Sequence, residues 1–283
     1  MGLCMTTKST VEVRAWPQTG TVEERWSSPQ MQAALADLRN IGFAVFSGYW
    51  PADRCAAMID TVDGLLNARA ESVRRGSDLR LFALETASEA AREFKHDPLL
   101  ERLGDGLTGQ EQKVLFVLAN RLAQVNGQAR RSGGEWHRDR VKTQYKALVY
   151  LSDVGPENGP FSIFERSDRR DAYEGEVTET GFDFAGQRWR DDDFAGFLER
   201  AGDRLHILTG APGTLVVFNS SLIHSGQPIR AGERYAITNY YYAHDEIDLN
   251  KVAKKFVPSL APIGMPVYAG GSPVMAIASA HAD

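Results

Sequence analysis

The chain has 283 residues, 43% of them hydrophobic and 24% charged, enough to bury a substantial core. Its net charge of −5 argues against a nucleic-acid partner and against attraction to an anionic membrane surface. Its two cysteines, Cys4 and Cys55, support neither a disulfide framework nor a cysteine-based zinc site, and they suit a reducing cytoplasm.

The first residues carry one early lysine and lack the apolar core of a secretory signal. No apolar run reaches the roughly 20 residues that a bilayer span needs. The expectation is a soluble cytoplasmic protein.

Residues 1 to about 25 show little pattern. Ser27-Ser28-Pro29 then reads as a helix start, since serine suits an N-cap and proline the first turn. Met31, Leu35 and Leu38 follow at helical spacing. Asn40-Ile41-Gly42 ends that helix, and Phe43–Phe46 reads as a short buried strand. Pro51 and Asp53 open a second helix whose apolar face is Met58, Ile59, Val62, Leu65 and Leu66. Between 67 and 110 the pattern weakens to helical segments around Glu85–Phe94 and Pro98–Leu103, broken by Gly104, Gly106 and Gly109.

From Val114 the character changes. Strands are predicted at Val114–Leu118, Arg121–Val125, Lys146–Leu151, Phe161–Phe164, Arg204–Leu208, Thr214–Phe218 and Arg234–Tyr242. Short strands at this spacing point to a β-sandwich or barrel. No Gly-x-Gly-x-x-Gly follows a strand, which disfavours a dinucleotide fold. Residues 167–203 interrupt the series with dense Asp, Glu and Arg, among which Phe182, Phe184, Trp189, Phe194 and Phe197 are spaced. The aromatics suggest an ordered flap, and a lid is its natural role. Four prolines between 251 and 283 mark an extended tail that either wraps the domain or reaches a partner subunit, which leaves a homodimer open. One domain is expected: a helical buttress with a short strand at about 27–112, a β core at about 113–245 containing the flap, and an extension at 246–283.

The chemistry centres on Gly133–Asp139. On a strand leaving a glycine turn, His137 and Asp139 fall on one face, so an imidazole nitrogen and a carboxylate oxygen can aim at one divalent metal. A third ligand must come from the remaining histidines. His281 lies in the tail, and His96 sits at a helix boundary, where a surface or capping role suffices. His206 alternates with Leu205 and Ile207, so it faces solvent or a hydrogen-bond partner. His244 follows an aromatic strand, near a pocket mouth at best. His224 stands apart, because it ends a strand, a polar turn and a short apolar approach, with Arg234 ten residues on. Two histidines and a carboxylate are the facial set that holds non-haem Fe(II) with positions left open.

Trp136-His137-Arg138-Asp139, Asn158-Gly159-Pro160-Phe161, Gly213–Phe218 and the span from His224 to Arg234 together resemble the iron(II)- and 2-oxoglutarate-dependent dioxygenases, specifically their phytanoyl-CoA dioxygenase-like branch. The likeness runs from about 27 to 245 and includes the opening of helix, Gly42–Gly48 and helix. It implies a mainly β fold with flanking helices around a double-stranded β-helix, the cupin-like jelly roll. It also implies His137, Asp139 and His224 as iron ligands, with Arg234 pairing the distal carboxylate of 2-oxoglutarate and O₂ as the other cosubstrate. The activity implied is hydroxylation of an unactivated carbon in a small organic metabolite, with release of succinate and CO₂. Halogenating relatives replace the carboxylate ligand by Gly or Ala, so Asp139 favours hydroxylation. Epimerisation, desaturation or cyclisation at the same site remains open. A non-catalytic jelly-roll binding protein is the other reading, although it would not need Arg234.

The chain departs from many relatives in one place, having Phe164-Glu165-Arg166-Ser167-Asp168 where they have Pro-Gly-Ser-His. Relatives often present an amide to 2-oxoglutarate from the strand before the glycine turn. Here Gln124, Asn126 and Gln128 share one face of that strand, and Gln124 and Asn126 join Arg234 and Thr238 as candidate cosubstrate contacts. The same alternation also suits a polar edge strand facing water. Tyr145, Tyr150 and Tyr240 are further candidates to line the pocket. Arg138 should point away from the metal toward an acidic neighbour, and Arg138 and Arg140 would draw an anionic substrate to the mouth.

Overall fold

Ser28 caps the first long helix as expected: its hydroxyl accepts from the Met31 amide, and Pro29 takes the first turn. The computed structural model describes residues 11–68, 78–124 and 135–246, together with the backbone of two short paired strands at Tyr268–Ala269 and Ser272–Pro273. Asn126, Gln128, His281 and most of the expected extension lie outside the described residues.

Among the described residues the N-terminal half supplies five α-helices: α1 (Val22–Trp26), α2 (Pro29–Asn40), α3 (Ala52–Asn67), α4 (Glu89–Lys95) and α5 (Pro98–Thr108). They pack on a seven-stranded sheet of β1 (Val13–Ala15), β2 (Phe43–Ser47), β3 (Asp78–Leu81), β4 (Gln112–Ala123), β6 (Tyr145–Tyr150), β10 (Leu215–Asn219) and β12 (Glu233–Ala243). Its order is β1-β2-β10-β6-β12-β4-β3. A smaller sheet faces it, made of β5 (Trp136–His137), β7 (Phe161–Phe164), β8 (Arg188–Trp189), β9 (Leu205–Leu208) and β11 (His224–Gly226), in the order β8-β5-β11-β7-β9. Two packed sheets with helices against the larger one make the expected jelly roll.

Side-chain alternation divides the core. Ala147, Val149, Leu215, Val217 and Ile237 face the helices, whereas Leu148, Val216, Phe218 and Ala236 face the smaller sheet. A third cluster lies behind the smaller sheet. There α6 (Glu174–Thr180), α7 (Asp191–Ala201) and their connections bury Tyr173, Phe182, Phe194 and Phe197 against Trp136 and Phe164. Segment 167–203 is therefore ordered, but its body forms a layer behind the smaller sheet and does not lie over the space between the sheets as a lid would. Its aromatics are spaced for packing.

Two expectations are corrected, and two further features were not foreseen. β4 is one continuous strand where two were predicted, because Ala119, Asn120 and Arg121 stay in register with β12 and the Asn120 amide donates to Asp78. α5 runs through Gly104 and Gly106 and ends only at Gly109, whose φ of 70° gives the left-handed cap. Gly104 and Gly106 are there for close approach: a Cβ at either would come within 2.7 Å of Tyr145 or Leu35. Strands β1 and β3 were not anticipated, since three or four residues are too few to show alternation. The capping box of Thr21 and Glu24 that starts α1 was legible but missed.

One buried ion pair supports the long sheet. Lys95 Nζ donates to Glu85 Oε1 at 2.8 Å, and Glu85 Oε2 accepts from the Val117 amide of β4 at 2.9 Å. Glu85 thereby satisfies a strand donor that would otherwise be buried unpaired.

Candidate metal centre and cosubstrate pocket

Sheet register brings the two histidines together. β11 pairs with β5 so that His224 stands directly opposite His137, with ring centroids 4.4 Å apart. Directly opposed residues on one sheet face are close enough to share a ligand. Asp139 lies just beyond β5, in a loop and not on the strand as expected. Backbone bonds from Arg138 to the Gln187 carbonyl and from Asp139 to the Ser220 carbonyl hold it there. Candidate ligand atoms of His137, Asp139 and His224 all lie within 4.8 Å of one another, and this is the one such group found among the described residues.

The protonation pattern suits a metal. His137 Nδ1 donates to the Glu135 carbonyl at 2.7 Å, and His224 Nδ1 donates to the Leu222 carbonyl at 2.8 Å. A carbonyl can only accept, so each Nδ1 carries a hydrogen, and Nε2 is the ring nitrogen left to face the site. Burial pushes the His137 imidazole down to about 3, helped by the nearby His224, so it is neutral at physiological pH. His224 Nε2 lies 3.5 Å from Asp139 Oδ2. A ring nitrogen and a carboxylate oxygen facing each other at this distance call for a proton or a metal cation between them.

Lys146 is a site residue that sequence reading missed. It is 4% exposed, its Nζ lies 2.6 Å from Asp139 Oδ2, and it also sits 3.8 Å from the centre of the Tyr240 ring. Burial alone would raise the Asp139 carboxyl, but the Lys146 ammonium beside it holds it well below the usual carboxylate range. Asp139 is thus a carboxylate, with one oxygen engaged by the lysine. A signal existed: Lys146 interrupts an otherwise apolar strand, and a charged residue there must be paired.

Arg234 is 3% exposed and faces the same cavity, of about 160 Å³, that holds the triad. One of its Nη atoms donates to the Gly159 carbonyl, while its Nε has no partner. Burial pulls its guanidinium down, yet arginine stays charged, so a buried donor is left for an incoming carboxylate. Thr238 and Tyr240, on the same face of β12, line the cavity as expected.

Gln124 does not. It is exposed at the end of β4 and donates to the Arg230 carbonyl. The cavity-facing amide on that face of β4 is Asn120, four residues earlier, where the sheets enclose the strand. Tyr145 points to the helices against Tyr241, and the Tyr150 hydroxyl is spent on the Leu208 carbonyl and the Phe161 amide. Arg138 points away from the triad, but into the protein: it is 5% exposed and lies over the rings of Phe184 and Trp189. Arg140 pairs with Glu246 outside the cavity lining. His206 is buried and bonds Glu165 at 2.8 Å, His96 caps α4, and His244 is exposed in a turn.

The unusual Phe164–Asp168 turn also finds its reason. Arg166 takes a left-handed φ of 55°, and the buried Ser167 hydroxyl donates to the Phe164 carbonyl while accepting the Ile223 amide at 2.7 Å. That bond fixes the residue immediately before His224.

A family profile described as phytanoyl-CoA dioxygenase (PhyH) matches residues 38–235, a span that contains all three candidate ligands and Arg234. No curated protein sequence matches the chain. Among solved structures, the α-ketoglutarate-dependent epimerase SnoN of nogalamycin biosynthesis shares 17% identity at a TM-score of 0.55, over 75% of this chain and 82% of its own. HygX from Streptomyces hygroscopicus, with nickel and 2-oxoglutarate bound, shares 18% at 0.53, over 75% and 87%. EctD from S. alaskensis, with bound Fe, shares 20% at 0.55, over 77% and 78%. At these identities the likenesses establish the fold, and the family match over most of the chain establishes the kinship. The chain belongs to the phytanoyl-CoA dioxygenase family and is by that membership an oxidoreductase of the iron- and 2-oxoglutarate-dependent kind.

Proposed function

We propose that this protein couples decarboxylation of 2-oxoglutarate to hydroxylation of an unactivated carbon in a small organic metabolite. The observation that carries the reading is the convergence in one cavity of two Nε2 atoms, the Asp139 carboxylate and the unpartnered Nε of Arg234. His137, His224 and Asp139 would hold Fe(II) from one side, which leaves room for 2-oxoglutarate and O₂. Bound iron supplies the activation of O₂, and the protein supplies orientation and electrostatics.

Arg234 presents a planar fork to the distal carboxylate of 2-oxoglutarate, with Thr238 on the same strand face beside it. Lys146 keeps Asp139 ionised by bonding Oδ2, the same oxygen that faces His224. Leu118, Leu148, Phe161 and Phe218 form an apolar wall that keeps water from the reacting carbon. One atom of O₂ enters the substrate and the other enters succinate, so the stoichiometry closes.

Anaerobic addition of Fe(II) and 2-oxoglutarate should produce the visible charge-transfer band of the chelate. Absence of both the band and succinate release would exclude the reading. Arg234→Ala should weaken 2-oxoglutarate about 100-fold, roughly 2.7 kcal/mol, with metal content unchanged. A mere metal-binding roll would show no such dependence. Epimerisation or ring closure would start from the same hydrogen abstraction, and SnoN, an epimerase, shares the fold. Incorporation of ¹⁸O from ¹⁸O₂ into the product separates hydroxylation from both.

A further inference from the structure

Arg138 stands between two candidate ligands, and the chemistry proposed above gives it no part. Chain alternation turns it away from the triad and into the layer behind the smaller sheet. There its guanidinium lies 5.0 Å from the centre of the Phe184 ring and 5.4 Å from that of Trp189. Its Nη2 donates to the Ser167 carbonyl at 3.2 Å, and the carboxylates of Asp168 and Asp183 are within electrostatic range. A buried cation is stable only where its contacts offset the water it loses. Each of these contacts comes from residues 167–189.

Those contacts lead on to the third ligand. The Ser167 hydroxyl accepts the Ile223 amide at 2.7 Å, and Ile223 immediately precedes His224. Asp168, the next residue, accepts from Asn219 Nδ2 at 3.2 Å, and Asn219 ends β10. The Ser220 carbonyl just after it accepts the Asp139 amide at 3.0 Å. The turn at 166–168 therefore reaches both the segment that bears His137 and Asp139 and the one that bears His224. Among the described residues β5 and β11 share a single paired position, His137 with His224. One paired position fixes a distance but not the angle between two short strands. The links through Arg138 and the turn supply the second constraint.

We propose that Arg138 is a positioning residue for the metal centre: it ties segment 137–139 to the turn that holds Ile223, and so couples metal binding to the seating of residues 182–189. The proposal rests on the metal-centre part of the dioxygenase reading and deepens it. A guanidinium is suited to the task, because it donates in its own plane to Ser167 while its faces lie on aromatic rings. The coupling is reciprocal. If seating of 182–189 favours the metal, metal binding must stabilise that stretch by the same factor.

The test uses the full chain with Ni(II) or Co(II) alone as the probe. In the wild type, saturating Ni(II) should slow amide hydrogen exchange in peptides covering 182–189 by at least about three-fold. Arg138→Met keeps an apolar stem in the layer and removes the charge and the donors. It should weaken Ni(II) binding by about ten-fold or more and lose that protection. Arg138→Lys, which restores the charge, should recover part of both. The visible spectrum of bound Co(II) at saturation should change shape in Arg138→Met, since ligand geometry sets it. Glu85→Ala controls for a general loss of stability, and its Ni(II) affinity and Co(II) spectrum should match those of the wild type.

Exchange at 182–189 that Ni(II) leaves unchanged in the wild type would overturn the proposal, and this measurement holds even if Arg138→Met does not fold. Unaltered Ni(II) affinity and an unaltered Co(II) spectrum in a folded Arg138→Met, or equal changes in Glu85→Ala, would overturn it as well. If the wild type shows the expected protection by Ni(II) but no chelate band with Fe(II) and 2-oxoglutarate, the dioxygenase reading falls and the role of Arg138 at the metal stands. If the band forms and Arg138→Met behaves as the wild type, that reading stands and the positioning role alone is lost.

Discussion

The two sheets hold the site in different ways. β4 and β12 are 12 and 11 residues long and pair along nearly their whole length, whereas the strands of the smaller sheet run to only two to four residues. Yet the long sheet carries the charged partners, Arg234 and Lys146, and the short one delivers both histidines. A buried cation needs a backbone that does not yield, and a dense ladder provides one. Two-residue strands have few ladder bonds, so the positions of His137 and His224 depend on what packs behind them. Trp136, Phe164 and Ile223 are embedded there in the aromatic layer of the 167–203 segment. That segment, which looked like a lid, works as a backing plate for the candidate metal ligands.

Several experiments would break or sharpen this contrast. Asp139→Ala, in the loop just beyond β5 of the short sheet, should cost the most. Metal content should collapse and succinate release fall by about three orders of magnitude, roughly 4 kcal/mol in transition-state terms, whereas Arg234→Ala on the long sheet keeps its metal. Metal analysis of the two purified variants decides this.

The next pair is matched in stability. Phe194→Ala removes a fully buried ring from the backing layer and should cost about 3–4 kcal/mol. Glu85→Ala breaks the buried pair under β4 and should cost about 3 kcal/mol. Denaturant unfolding should show both losses, but only Phe194→Ala should weaken metal binding by about ten-fold or more. Equal effects on metal affinity would mean that the two sheets do not differ in the way described. Ser167→Ala should be the mildest, about 1 kcal/mol from the lost bond to the Ile223 amide, with a few-fold drop in metal affinity and none in that for 2-oxoglutarate.

Local chemistry was legible in the chain. Ser28 and Pro29 announced α2, alternation marked most of the long strands, and His137, Asp139 and His224 pointed to a metal, while the family resemblance implied an oxyanion partner for Arg234. These features depend on one residue and its near neighbours, or on a family pattern that sequence order preserves.

Other features depended on which surfaces meet. The helix through Gly104 and Gly106 is stable because Tyr145 and Leu35 fill the space that side chains there would occupy. The cavity-facing amide proved to be Asn120 and not Gln124, because enclosure by two sheets, not parity along one strand, decides which end of β4 is inside. Lys146, Arg80 and Arg188 line the cavity from three separate strands. Sequence alone determined that this chain holds a triad and an arginine. Only the tertiary structure, by closing two sheets on each other with the 167–203 layer behind, decided which other charges face that triad, since Coulombic partners are set by distance in space and not by distance along the chain.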